Sequence, residues 1–203
     1  MNLEHLYTAV ELVRSNCYST NGTETTFLRT YPVMVAAARM PAKDTAEAFL
    51  RAACLAHAWM PQTLRLDPVF LRPAVAAFEA ACADEIVATE QAIDPIAASL
   101  SSVVAASRVL HLANPNVFPF WDERIERFRL GEEPSPYHMG QIRNYLGFMN
   151  EIRELTAHPL FLTFHNDFCT AYQARLQQLR IPPYPLTEPK VVEAAITELA
   201  GGG

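Results

Sequence analysis

The sequence predicts an all-α protein, and three observations carry the prediction. Half of the 203 residues are hydrophobic and 19% are charged, the balance of a globular chain with one substantial core. Glycine is scarce: only seven occur, three of them Gly201, Gly202 and Gly203, whereas an all-β fold of this length needs turn residues every few positions. Long Ala- and Leu-rich stretches repeat apolar residues at three- and four-residue steps. The expected architecture is a single compact domain over 1–200. Its length leaves room for two helical lobes, and residues 201–203 read as a flexible tail.

Periodicity and punctuation place helices near 2–17, 24–39, 43–58, 68–90, 95–113, 123–130, 136–155, 159–180 and 189–199. Proline at the first helical position loses no hydrogen bond, so Asp67-Pro68, Asp94-Pro95 and Ser135-Pro136 read as helix starts. Pro32 and Pro73 fall within expected helices and should kink or divide them. From Ser135 onward, Met139, Ile142, Tyr145, Leu146, Met149 and Ile152 form one inward face, leaving Arg143, Asn144, Asn150 and Arg153 outward. Phe161, Phe164, Phe168 and Tyr172 form an aromatic stripe that reads as core. The segment Ile181-Pro-Pro-Tyr-Pro185 should run extended before a last short helix.

Charge and cysteine usage narrow the function classes. The net charge of −6 provides no overall positive field for nucleic acid or anionic membrane, so such contacts must be local. Lys43 and Lys190 are the only side-chain amines. Cys17, Cys54, Cys82 and Cys169 form no C-x-x-C pair; Cys54 and Cys82 sit inside Ala-rich apolar runs, and buried free thiols are expected. The start, Met1-Asn-Leu-Glu-His5, lacks a basic segment followed by an apolar run, so a reducing, cytoplasmic location is expected and Asn21-Gly22-Thr23 is read as a turn. No uncharged apolar stretch approaches the roughly 18 residues of a membrane span; the nearest, 96–112, contains Arg108 and four serines. His165 and Cys169 have the i, i+4 spacing of a ligand pair, but two ligands do not make a zinc site, and no metal or cofactor is expected. No Gly-rich phosphate loop, H-E-x-x-H or G-x-S-x-G occurs.

The most informative segment is 107–128, Ser-Arg-Val-Leu-His-Leu-Ala-Asn-Pro-Asn-Val-Phe-Pro-Phe-Trp-Asp-Glu-Arg-Ile-Glu-Arg-Phe. An apolar helix should end near Ala113, Asn114-Pro115-Asn116 should turn, and Val117 to Trp121 should form an extended apolar arm. Asp122 then stands directly before a fresh amphipathic helix. Its carboxylate can cap that helix, and an anion so held is a fixed negative charge for a developing cation rather than a proton acceptor. His111, on the helix feeding the turn, could hydrogen-bond the turn backbone as a structural histidine or reach Asp122, with general-acid work as the functional alternative. Arg124, Arg127, Arg129 and Arg143 offer local anion contacts among interspersed glutamates, and Phe120, Trp121, Tyr137 and Tyr145 could supply a stacking wall for a base.

Over roughly residues 95–130 these features resemble the helix-hairpin-helix base-excision DNA glycosylase superfamily and bacterial relatives with Leu-His, a proline turn, Phe-Pro and Asp before a helix. The resemblance implies two helical lobes around a groove, which in this chain falls near 114–145. It also implies an aspartate, here Asp122, that faces the nucleoside and supports glycosidic-bond cleavage. In the superfamily, hairpin glycines lie about twenty residues before the aspartate, where this chain has Leu100-Ser101-Ser102-Val103, and Val104 stands nearest to the lysine of the bifunctional members. A four-cysteine iron–sulfur spacing near the C terminus is absent. The leading expectation is therefore recognition of a nucleobase or nucleoside with monofunctional cleavage. Asp122 is its catalytic residue, with His111, Trp121, Arg124, Arg127, Tyr137 and Tyr145 as binding residues. The alternative is a non-catalytic helical module that binds a protein partner, with Asp122 as a helix cap only.

Overall fold

The computed structural model describes residues 1–15, 22–58, 60, 63–83 and 89–201. Their regular structure is entirely helical: α1 (Leu3–Ser15), α2 (Thr23–Ala38), α3 (Thr45–His57), α4 (Leu71–Cys82), α5 (Glu90–Leu100), α6 (Val103–Ala113), α7 (Glu123–Leu130), α8 (Pro136–Met139), α9 (Ile142–Thr156), α10 (Phe161–Gln178) and α11 (Glu188–Leu199). Cys17, Asn21 of the expected turn, residues 84–88 of the expected helix 68–90, and Gly202 and Gly203 lie outside the described residues.

Several starts are fixed by side chains that accept otherwise unpaired N–H groups of the first turn. Asp44 accepts from Glu47 N at 2.9 Å, and the Glu47 carboxylate reaches back to Lys43 N at 3.0 Å. Ser102 caps α6 through Ala105 N, and Ser135 caps α8 through His138 N, with Pro136 at the first helical position as its sequence predicts. Asp67 behaves differently. It accepts from Val69 N in a local turn, while α4 begins only at Leu71, so Pro73 sits in the first turn and divides nothing. Pro32 lies inside α2, which continues through it.

Two expected helices are each two. The stretch 95–113 is α5 and α6, bent by 116° at Ser101-Ser102. Ser101 takes a left-handed conformation (φ 52°, ψ 29°) and Ser102 caps the next helix, which ends one helix and starts another without a glycine. Helix α5 begins at Glu90, so Pro95 is internal to it and Asp94 is no N-cap. Likewise 136–155 breaks at Gly140-Gln141, where Gln141 is extended and Asn144 Nδ2 donates to His138 O at 2.8 Å. Apolar spacing continues across both breaks, which is why periodicity alone reads through them.

Helices α3 to α6 pack on one another, while α1 lies along α10 and α11; α2 touches α3 and α6, and α7 rests on α11. The aromatic stripe of α10 is buried as expected, Phe164 and Phe168 completely, with successive ring centroids 5.9 to 6.0 Å apart. Arg175 ties the second set together: it pairs with Glu198 of α11 and donates to Val13 O and Leu12 O at the end of α1. Cys54 and Cys82 correct the expectation of buried thiols, since both lie on outer helix faces with the neighbouring Ala53 and Ala81 turned inward. Among the described residues, no single helix is long and apolar enough to cross a membrane.

Candidate functional site

The segment after α6 is stitched to its neighbours at almost every residue. Asn114 O accepts from Val117 N and Phe118 N, closing the turn at Pro115. His111 Nδ1–H donates to Phe118 O at 2.7 Å, Tyr145 OH donates to Pro119 O at 2.9 Å, and Ser107 Oγ accepts from Trp121 N–H at 3.2 Å. Phe118 and Trp121 are fully buried. These bonds satisfy the backbone of a non-helical strip inside the core and fix where Asp122 emerges.

Asp122 caps α7, its Oδ1 accepting from Ile125 N at 3.1 Å. Its other oxygen lies 3.8 Å from Arg108 Nη2, and its side chain remains 38% exposed. The carboxylate opens onto a cavity of about 280 Å³ set between the two groups of helices. Walls come from α2 (Phe27, Tyr31), α6 (Arg108, Leu112), the arm (Phe120), the start of α7 (Arg124) and α11. Burial pulls the Arg108 guanidinium below its ordinary value, with Asp122 acting in the opposite sense.

Lys190 and Glu193 project from one side of α11, three residues apart, and both line this cavity. They form a buried ion pair, and the ammonium is enclosed by the rings of Tyr31 (4.6 Å to the centroid), Phe120 (4.7 Å) and Phe27 (4.9 Å). Three cation–π contacts and a carboxylate compensate for removing the ammonium from water. Glu193 Oε2 also accepts from Phe120 N at 3.1 Å. Burial pushes the Glu193 carboxyl up, opposed by Lys190. Behind the ring wall, Tyr31 OH donates to His111 Nε2 at 2.8 Å, because the other ring nitrogen already gives its proton to Phe118 O. Burial holds His111 well below 6.5, with Lys190 acting in the same direction, and burial raises the Tyr31 phenol well above its ordinary value.

Of the seven residues singled out from the sequence, Asp122 and Arg124 line the cavity. His111 does not: it is fully buried, bonded to Phe118 O and Tyr31 OH, an arrangement that suits the structural role open to it from the sequence and not general-acid work. Trp121 and Tyr145 are sealed in the core, Trp121 Nε1 donating to Glu126 at 2.9 Å. Arg127 pairs with Glu133 on the surface, and Tyr137 is 73% exposed on α8. Of the 114–145 window in which a groove was expected, only residues between Phe120 and Ile125 line the cavity. Lys190, Glu193, Phe27, Tyr31 and Arg108 were not predicted as site residues. The one sequence signal for Lys190 was its rarity, a lysine set against Val191 and Val192 in a chain with only two lysines.

His165 and Cys169 lie side by side, Sγ 3.9 Å from Nε2, and no cluster of three or more His, Cys, Asp or Glu side chains able to hold a metal forms among the described residues. No family model, curated protein or solved structure matches the chain.

Proposed function

We propose that the cavity receives a nucleobase or nucleoside and that Asp122 supports cleavage of its N-glycosidic bond, in a protein related in design to the helix-hairpin-helix DNA glycosylases. The observation that carries this reading is a capped, partly exposed carboxylate at an aromatic-walled cavity. The volume is near the small end of ligand pockets, roughly 300–1,000 Å³, in keeping with one flat base and part of its sugar. Two further features support it: the sharp α5–α6 hairpin with a left-handed residue at the place of the hairpin glycines, and the position of the cavity between two helix groups, which would be the two lobes.

In the reaction, the bond between the anomeric carbon and the base nitrogen breaks and its electron pair leaves with the base. The sugar acquires oxocarbenium character facing Asp122, whose side chain the cap and Arg108 hold in position, so that no dipole must reorganise as charge develops. Water adds its oxygen to the anomeric carbon, and the proton it releases neutralises the departing base. Arg124, at the start of α7 beside Asp122, is placed to meet a phosphate or sugar oxygen flanking the nucleoside.

A second reading, a helical module binding a protein partner with Asp122 as a cap alone, is favoured by the Asp122–Ile125 bond itself. Two variants separate the readings. Asp122→Asn keeps a good cap but removes the charge, whereas Asp122→Ala removes both; the lost cap should cost about 0.5–2 kcal/mol of stability. In a base-release assay on deoxynucleosides and base-bearing oligonucleotides, Asp122→Asn should retain the melting temperature and lose about 10²–10³-fold in rate. Release unchanged in Asp122→Asn, or absent in the native protein, would overturn the catalytic proposal.

A further inference from the structure

The Lys190–Glu193 pair is an unusual thing to find in the wall of a cavity. The ammonium carries three donors and no acceptor, and Glu193 is the single hydrogen-bond acceptor it meets among the described residues; the rings of Tyr31, Phe120 and Phe27 also stand against it. Glu193 carries acceptors only, and each of its oxygens, one bonded to Lys190 and one to Phe120 N–H, retains a lone pair. Donor and acceptor thus stand side by side, on adjacent turns of α11, in the cavity that Asp122 also lines.

Resting on the nucleobase reading above, we propose that Lys190 and Glu193 read the keto–imino edge of a lactam base, so that the occupant is of the hypoxanthine, guanine, uracil or thymine class and not of the adenine or cytosine class. The ammonium donates to the keto oxygen, and the carboxylate accepts from the adjacent ring N–H. The charge flow of cleavage sharpens this preference. When a lactam base departs, the electron pair of the broken bond spreads onto its keto oxygen, against a fixed positive charge held by three rings and a carboxylate. An amino base departs most easily after protonation of a ring nitrogen, and a neighbouring ammonium opposes that added positive charge. Asp122 and Lys190 accordingly divide the work: negative charge for the sugar, positive charge for the leaving base.

The experiment is equilibrium binding of four free deoxynucleosides to the full chain by calorimetry. Deoxyinosine and deoxyadenosine differ in the edge at issue, as do deoxyuridine and deoxycytidine. The native protein should bind the keto member of each pair at least tenfold more tightly. Glu193→Gln, which can donate as well as accept, should reduce that preference to within threefold while still accepting from Phe120 N. Lys190→Met with Glu193→Gln, which removes both buried charges together, provides a second variant if the single change compromises folding, and it too should lose the preference. Equal binding of both classes, tighter binding of the amino class, or a preference that survives in these variants overturns the lactam proposal and leaves the nucleoside site intact. Absence of binding by all four nucleosides removes the nucleoside reading and this inference with it.

Discussion

Replacing Glu126 with alanine should unfold the support under Asp122 more than any surface change on α7. Glu126 is 1% exposed although it follows the cap by only one turn, and its carboxylate gathers three donors. Trp121 Nε1 reaches it at 2.9 Å from the arm, His138 Nε2 at 2.6 Å from α8, and Arg129 from the end of α7, with Arg129 also bound to Glu151 of α9. Removing the carboxylate strands the indole N–H of a fully buried tryptophan, about 1–3 kcal/mol by itself, and leaves the guanidinium with one of its two anionic partners. Breaking a buried pair by deleting one partner costs about 3–5 kcal/mol, which for a chain of this length lowers the melting temperature by roughly 10 °C. Urea unfolding of the native protein, Glu126→Ala, Trp121→Phe and the double variant measures both the total and the share carried by the indole. The Glu126→Ala penalty should shrink by about 1–3 kcal/mol in the Trp121→Phe background, where no N–H remains to be stranded. A penalty below 1 kcal/mol, or one indifferent to Trp121, would refute the hub.

Acid should weaken the fold through His111. Its proton affinity is depressed in the native state, so its contribution is complete above pH 6.5; below that the unfolded chain binds a proton that the native chain refuses, and stability falls with a slope approaching 1.4 kcal/mol per pH unit. Denaturation between pH 7.5 and 5 should show that slope reduced in His111→Gln, and identical slopes would contradict the buried neutral imidazole. Ser101→Gly should stabilise the protein by about 0.5–1 kcal/mol, because relief of the left-handed conformation outweighs the entropy glycine adds to the unfolded chain. A loss of stability on thermal unfolding would show that Ser101 contributes through its side chain.

The parts of the site that were legible in the sequence are those whose chemistry is local. Asn114-Pro115 signals a turn because proline restricts the residue before it, and Asp122 signals a helix start because its side chain is the right length to meet the first turn; both stand where the sequence placed them. The hairpin at Ser101 was hidden because serine in the left-handed region is uncommon and apolar spacing runs through it. Tyr137 and Tyr145 illustrate a different limit: aromatic identity is the same for a ring on the surface and one hydrogen-bonded in the core, and only packing separates them. The ring cage is beyond any local pattern, since Phe27 and Tyr31 come from α2, Phe120 from the arm and Lys190 from α11, and nothing in the spacing of these residues says that the helices converge.

The central claim is that this cavity, and no other surface, takes the base. Titrating a deoxynucleoside into the protein while following the aromatic ring resonances by NMR tests it most directly: the shifts of Phe27, Tyr31 and Phe120 should move together and saturate, with the exposed Tyr137 unaffected. Rings of the cavity that stay still at saturating nucleoside, or shifts confined to Tyr137, would contradict the account.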